Sequence, residues 1–253
     1  MSQVDSAGTP WAGRHFESNP NAADDGSAPP FLMEVLAAFR AAQVSEAAVV
    51  EAISHSRFLV PLLAELGDTG LSPTGLVVDK SQELSIVTVT APDGRTALPI
   101  FTSVDSMRLW NAEARPVPST AERIALAAAS ENTDLVIIDP TAETEFVVRR
   151  PALWAIAQSV PFTPCYSDEI VLDAFTVAAR SESSIRSIAI APGDPLARLA
   201  GPELIVRLVI APGLSRDDLA AVLARLQERW AQSEIIAARV DSLTVQLVSA
   251  TSP

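Results

Sequence analysis

One cysteine (Cys165), one lysine (Lys80) and two histidines (His15 and His55) are all that a chain of 253 residues offers of the side chains most used in nucleophilic, Schiff-base and metal chemistry. A lone cysteine excludes an intrachain disulfide and a cysteine-based zinc site, and it suits a reducing compartment. No Gly-Lys-Ser/Thr closes a phosphate-cradling loop, HExxH and GxSxG are missing, and no GxGxxG follows a strand-like run. Lys80 lies in a polar Asp-Lys-Ser-Gln-Glu segment and reads as a solvated turn, because nothing apolar surrounds it to make its amine reactive. Runs of 18 apolar residues are absent, so no membrane-spanning helix is expected. The N-terminal residues show neither the basic nor the apolar region of a secretory signal, which makes a cytoplasmic location the expectation.

What is present points to a folded acidic protein. Hydrophobic residues make up 48% of the chain, enough for a sizeable core in one large domain or two modest ones. The net charge of −13 repels phosphate backbones and anionic membranes, so no nucleic acid and no membrane is expected as a partner.

Residues 1–29 are rich in Gly, Pro, Ser, Asn and Asp and read as a flexible tail. Trp11, His15 and Phe16 within it leave two readings open: incidental rings, or rings that dock on the body or a partner. A first domain is expected over 30–163. Phe31, Val35, Leu36 and Phe39 recur at helical spacing after Pro30, and Ser45 fits the cap of a second helix with Val49, Val50 and Ile53 inward. Pro61 in RFLVPLLAEL predicts an edge strand or a strand end. GLVVDK, ELSIVTVT and TALPIF read as a meander with a Pro92-Asp93-Gly94 turn. A helix runs from Ser103 to Trp110, a Ser119-x-x-Glu122 capping box opens another, and Leu135–Ile138 is a strand buried on both faces. Pro151 starts the last helix of this domain.

The Pro-rich PFTPCYS marks the boundary, and a second domain is expected over 164–253. It reads helix 168–180, strand 185–191, strand 203–211, helix 215–230 and strand 242–249. The fold class is therefore α+β: a mixed sheet with helices packed on it, then a smaller ββαβ unit compatible with a ferredoxin-like half.

Several motifs appear in order: LVVDKSQELSIVTV, DGRTALPIFTSVDSMRLW, ARPVP, DLVIIDP and RRPALWAIAQ. Over roughly residues 30–160 the chain resembles the SseB (enhanced serine sensitivity) N-terminal domain in its actinobacterial form, and PWAGRHF and DDG near the start are similar to segments of close relatives. The resemblance implies no agreed activity, cofactor or catalytic residue. It implies a family surface that includes Asp93, Gly94, Arg95, Pro99, Phe101, Thr102, Ser103, Trp110, Arg115, Pro116 and Pro118.

Three functions follow as expectations. The favoured one is a non-enzymatic interaction or regulatory protein, with an unidentified protein partner and no cofactor, whose binding surface is Asp93, Arg95, Phe101, Thr102, Ser103, Trp110, Arg115, Pro116 and Pro118. The second is a sensor for an amino acid or other small anion at Arg95, Ser103 and Arg115, set against a structural reading in which Ser103 caps its helix and Arg115 pairs with a nearby carboxylate. The third is carboxylate- or metal-assisted hydrolysis using Asp79, Asp93, Asp134 or Asp139, although turn chemistry explains Asp93 and Asp139 as well. His55 suits a helix C-terminus, Cys165 a linker without basic neighbours, and Trp110, Trp154 and Trp230 the core or a domain contact. Homo-oligomerisation through the Arg57–Leu63 edge is possible in principle, with Pro61 against it.

Overall fold

The computed structural model describes residues 24–64, 70–71, 77–78, 84–131 and 133–249. Trp11, His15, Phe16, Asp79 and Lys80 fall outside these, so the expectations attached to them do too.

Helix α1 (Pro30–Arg40) starts on Pro30, whose missing N–H costs nothing in a first turn. Its buried stripe is Leu32, Leu36 and Phe39, so the face is turned by one residue from the expected one and Phe31 is left 63% exposed. Leu36 and Phe39 belong to both stripes; the difference is that Leu32, at 0% exposed, takes the place of Phe31 in the core against the sheet, while Phe39 meets Phe146 edge-on, ring centroids 5.5 Å apart. Helix α2 (Glu46–Ser54) is capped by Ser45 as expected and buries Val49, Val50 and Ile53.

Strand β1 (Arg57–Ala64) is not at an edge. After the short β2 (Gly70–Leu71) and β3 (Val77–Val78), which pair with each other, β4 (Leu84–Ile86) flanks β1 on one side and β7 (Arg115–Thr120) on the other, both antiparallel. Pro61 is tolerated for a geometric reason. Leu59 exchanges two backbone bonds with Phe101 on the side away from β7, so Leu59 and Pro61 both turn their backbone groups from β7. Pro61 therefore faces Pro116, and Leu59 faces Pro118, as non-hydrogen-bonded pairs, and the β4 ladder begins only at Leu62. The same register leaves the outer edge of β7 without donors at residues 116 and 118, which blocks addition of a further strand there.

Strands β5 (Val89–Thr90), β6 (Thr96–Ile100), β8 (Leu135–Ile138) and β9 (Phe146–Arg149) form the second sheet. The β6–β8 pair is parallel, as the crossover through α3 (Val104–Trp110), β7 and α4 (Ala121–Ser130) allows. Alternation divides the residues cleanly. Leu98, Ile100, Val136, Ile138, Phe146 and Val148 meet α1, α2, α4 and α5 (Arg150–Ala157). Ala97, Leu135, Ile137 and Val147 point the other way and are covered by Leu199, from the second half of the chain. Burial of Leu135–Ile138 on both faces is thus as expected. The cap of α4 is Thr120, accepting from Arg123 N, in place of the expected Ser119 box; a capping box does exist at Ser103 and Ser106.

The second half follows a tight turn at Cys165–Ser167 with α6 (Glu169–Ala179), β10 (Ile185–Pro192), β11 (Leu204–Ile210), α7 (Arg216–Ala231), α8 (Glu234–Arg239) and β12 (Leu243–Ser249). Its core gathers Phe175 and Trp230 edge to face. The class is α+β. The ββαβ order is present with α8 added, but β12 lies directly beside β11 and parallel to it, where a split ferredoxin-like layer would interpose a strand.

Candidate functional site

The carboxyl ends of β6 and β8 meet where the sequence placed its binding surface. Asp139, at the exit of β8, accepts from Thr102 N at 2.9 Å, Thr102 Oγ1 at 2.7 Å and Thr144 Oγ1 at 2.9 Å. Thr102 and Asp139 are both buried, and Phe101 is fully so, against Trp110 at 5.3 Å. Ser103 spends its hydroxyl on Ser106, and Val104 N donates to Gly26 O. The cation beside this unit is Arg57, missed from the sequence, which bonds Thr102 O, Ser27 O and Asp24. Asp24, Gly26 and Ser27 thus strap the start of the body onto the Phe-Thr-Ser corner.

Gly26 is required there: its φ is +77°, and a Cβ would lie 2.6 Å from Val104 Cγ2. Gly26→Ala is expected to cost about 1–2 kcal/mol from its backbone conformation alone, with the clash added. Urea titration measures the loss, and earlier proteolysis at residues 24–29 locates it.

The other expected residues lie elsewhere. Arg95 is tied to Asp93 through Nε at 2.8 Å, and its two terminal nitrogens fork onto Asp241 at 2.8 and 2.9 Å. Arg115 is exposed on β7 opposite Leu62, and Pro116 is exposed beside it, with Pro118 half-buried. The structure joins Thr102 and Ser103 to Asp139, Ser106 and Arg57; it does not gather Arg95, Ser103 and Arg115 around one guanidinium fork. Trp230 is buried and Trp110 half-buried, whereas Trp154 is half-exposed with the Arg150 guanidinium 5.9 Å from its ring.

A larger ionic cluster joins the two halves. Arg149, at the junction of β9 and α5, reaches into the second half. It bonds Asp194 Oδ2 at 2.8 Å and Gly201 O at 3.0 Å with one nitrogen, and Asp241 Oδ2 at 3.0 Å and Ser242 Oγ at 3.2 Å with the other. The three charged side chains are 4%, 2% and 1% exposed. Burial pushes the Asp241 carboxyl up, but Arg95 and Arg149 outweigh it and hold the group below the ordinary carboxylate range. Glu203, which accepts Asp241 N at 2.6 Å, is raised by burial, and by the Asp241 and Glu46 charges, to about 7. Glu46 is raised by burial although Tyr166 donates to it at 3.1 Å. Burial also pushes up the Cys165 thiol, which packs in the core beside Glu203. Carboxylates do converge here, as hydrolysis would require, but they are sealed within the junction and no described cavity opens onto them.

The open concavity is on the helical face. A groove of about 650 Å³ is bounded by α2, the first turn of α4, the end of α5 and residues 159–162. Val50, Ala155, Ile156 and Phe162 line it together with Glu51, His55 and Glu122. A second hollow of about 250 Å³ lies between Ala125 and Ala129 of α4 and Leu153 and Trp154 of α5. The first hollow takes the start of α4 and the end of α5, the second the reverse, so the two follow one another along that helix pair. His55 closes α2 as its C-cap, as expected, and also lines the groove, which no local signal announces.

Among the described residues no helix is long and apolar enough to cross a membrane, and no group of three or more His, Cys, Asp or Glu is placed to hold a metal ion. None of the curated proteins is significantly similar to the chain. Residues 32–155 match the family model for the SseB protein N-terminal domain. The match takes in Arg95, Arg149 and the groove as far as Ala155; Asp194, Glu203 and Asp241 lie beyond it.

Proposed function

We propose that this chain, which belongs to the SseB family, is a cytoplasmic protein-interaction or regulatory module without chemistry of its own, and that it docks its partner on the α2–α4–α5 face. The observation that carries the reading is the pair of hollows that follow one another on that face. Exposed apolar side chains stand along it or close by: Val160 at 52%, Leu126 at 53% and Trp154 at 50%. The Phe101–Pro118 unit serves the reading less well. Its aromatic and hydroxyl groups are consumed by the fold, and its exposed strand lacks two donors.

Val160→Lys adds a positive charge to the groove rim at an exposed side chain and should leave the fold intact. Affinity capture from a lysate of the source cells is expected to retain a partner with the wild-type chain and with Val117→Lys, on the β7 edge, and to lose it with Val160→Lys. A partner held equally by all three chains removes the docking face.

A second reading keeps the same groove and makes the protein a small-ligand sensor, since 650 Å³ lies within the range of small-molecule sites. Ligand binding would raise the melting temperature by mass action, by an amount that grows with ligand concentration. A metabolite screen without a shift rejects it.

A further inference from the structure

The groove is electronegative by construction. Two carboxylates, Glu51 and Glu122, line its main hollow; among the described residues the basic side chain in its lining is the His55 imidazole, with no lysine or arginine. Two helices end at its rim. α2 stops at Ser54 with His55 as cap, and α5 stops at Ala157, where Ser159 N and Val160 N fold back onto Ile156 O and Ala155 O. The negative ends of both helix dipoles therefore face the rim, weakened where Ser56 N, Ser159 N and Val160 N bond the last carbonyls. Two N-termini also line it, those of α2 and α4, and each is answered by its cap, Ser45 or Thr120, and by an acid in its first turn, Glu46 or Glu122. Between these negative groups the floor is apolar, formed by Val50, Ile156 and Phe162.

A site with acidic ends and an apolar floor fits a long aliphatic stem that carries a cation. We propose that the groove receives a basic side chain, arginine or lysine, from a protein partner, its charged head held by Glu51 and Glu122 and its stem lying on Ile156 and Phe162. The inference rests on the docking reading above. A protein segment suits the site better than a free amine, because a second hollow, lined by Asp134, Arg150 and Trp154, follows the first along α4 and α5, and a single amine would fill only the first. The chain's net charge of −13 would add long-range steering toward such a partner.

Peptide display against the full chain tests this. Peptides selected by the wild-type chain are expected to be enriched in Arg or Lys at one position, and enrichment should fall about tenfold on the Glu51→Gln/Glu122→Gln double variant. A control that neutralises two acids elsewhere, Asp217→Asn/Glu228→Gln, separates the site from the general acidity of the surface, and enrichment must survive in it. Equal loss in the control overturns the proposal. Selected peptides without basic enrichment, yet displaced by Val160→Lys, leave the docking face standing and remove the cation. If no peptide is selected, or none responds to Val160→Lys, both readings fall.

Discussion

Arg149→Ala is expected to cost about 3–5 kcal/mol of stability, because it removes one partner from a buried ionic cluster and leaves the others uncompensated. The wild-type guanidinium makes four bonds, all to the second half of the chain. Without it, Asp241 keeps the Arg95 fork, but Asp194 keeps only Leu199 N at 2.7 Å on one oxygen, and its other oxygen has no partner even in the wild type. The loss should therefore concentrate on Asp194. Pairing the loss of Arg149 with removal of that charge, as Arg149→Met/Asp194→Asn, should restore most of the stability, since no uncompensated charge is left at residue 194 and the Asn oxygen still accepts Leu199 N. Urea midpoints of the wild type, Arg149→Met, Asp194→Asn and the double variant give the coupling. A loss below about 1 kcal/mol for Arg149→Ala would mean that water reaches the junction and that the halves are held by packing alone.

The cluster also marks where sequence reading stops. α7 was legible because everything that defines it is local: Ser215 caps it, Asp217 and Asp218 follow, and Val222, Leu226 and Trp230 repeat at helical spacing. The β8 strand was legible as an unbroken apolar run. The rotation of α1 was not, since Phe31 and Leu32 offer two overlapping stripes and the choice of Leu32 is made by the core it enters, built from residues far along the chain. Pro61 misled because its cost depends on which side of the strand its nitrogen faces, and that is fixed by Phe101. Arg149 gave no signal at all. Its partners lie 45 and 92 residues away, and within RRPALWAIAQ it looks like a solvated charge ahead of a helix. The groove was hidden for the same reason: α2, α4, α5 and Phe162 come together only in the folded chain.

Stability is expected to fall as pH rises from about 4.5 to 7, the reverse of what a salt-bridged carboxylate produces. Glu203 has an ordinary value of 4.5 and is lifted to about 7 in the folded chain. Between those values the folded state holds a proton that the unfolded state has released, so unfolding is opposed most at the acid end and the contribution is lost as pH climbs through 7. At about 1.36 kcal/mol for each pH unit, the loss is on the order of 3 kcal/mol. Glu46, also raised by burial, adds in the same direction. The Asp241 N–H bonded to Glu203 opposes the effect, and the Arg149 charge does so less, while the Asp241 and Glu46 charges reinforce it. Glu182 has the opposite sign: Arg225 and Arg229 hold it down to about 2, so its contribution disappears only as pH falls below 4.5, outside the Glu203 window. Glu203→Gln imitates the protonated acid. Its stability should match the wild type near pH 4.5, exceed it at pH 7.5, and leave only the shallower slope due to Glu46. Urea midpoints at half-unit steps from pH 4.5 to 7.5 measure both profiles. Two profiles that run parallel across that window would show Glu203 to be charged within the junction, with a second cation or water reaching its carboxylate.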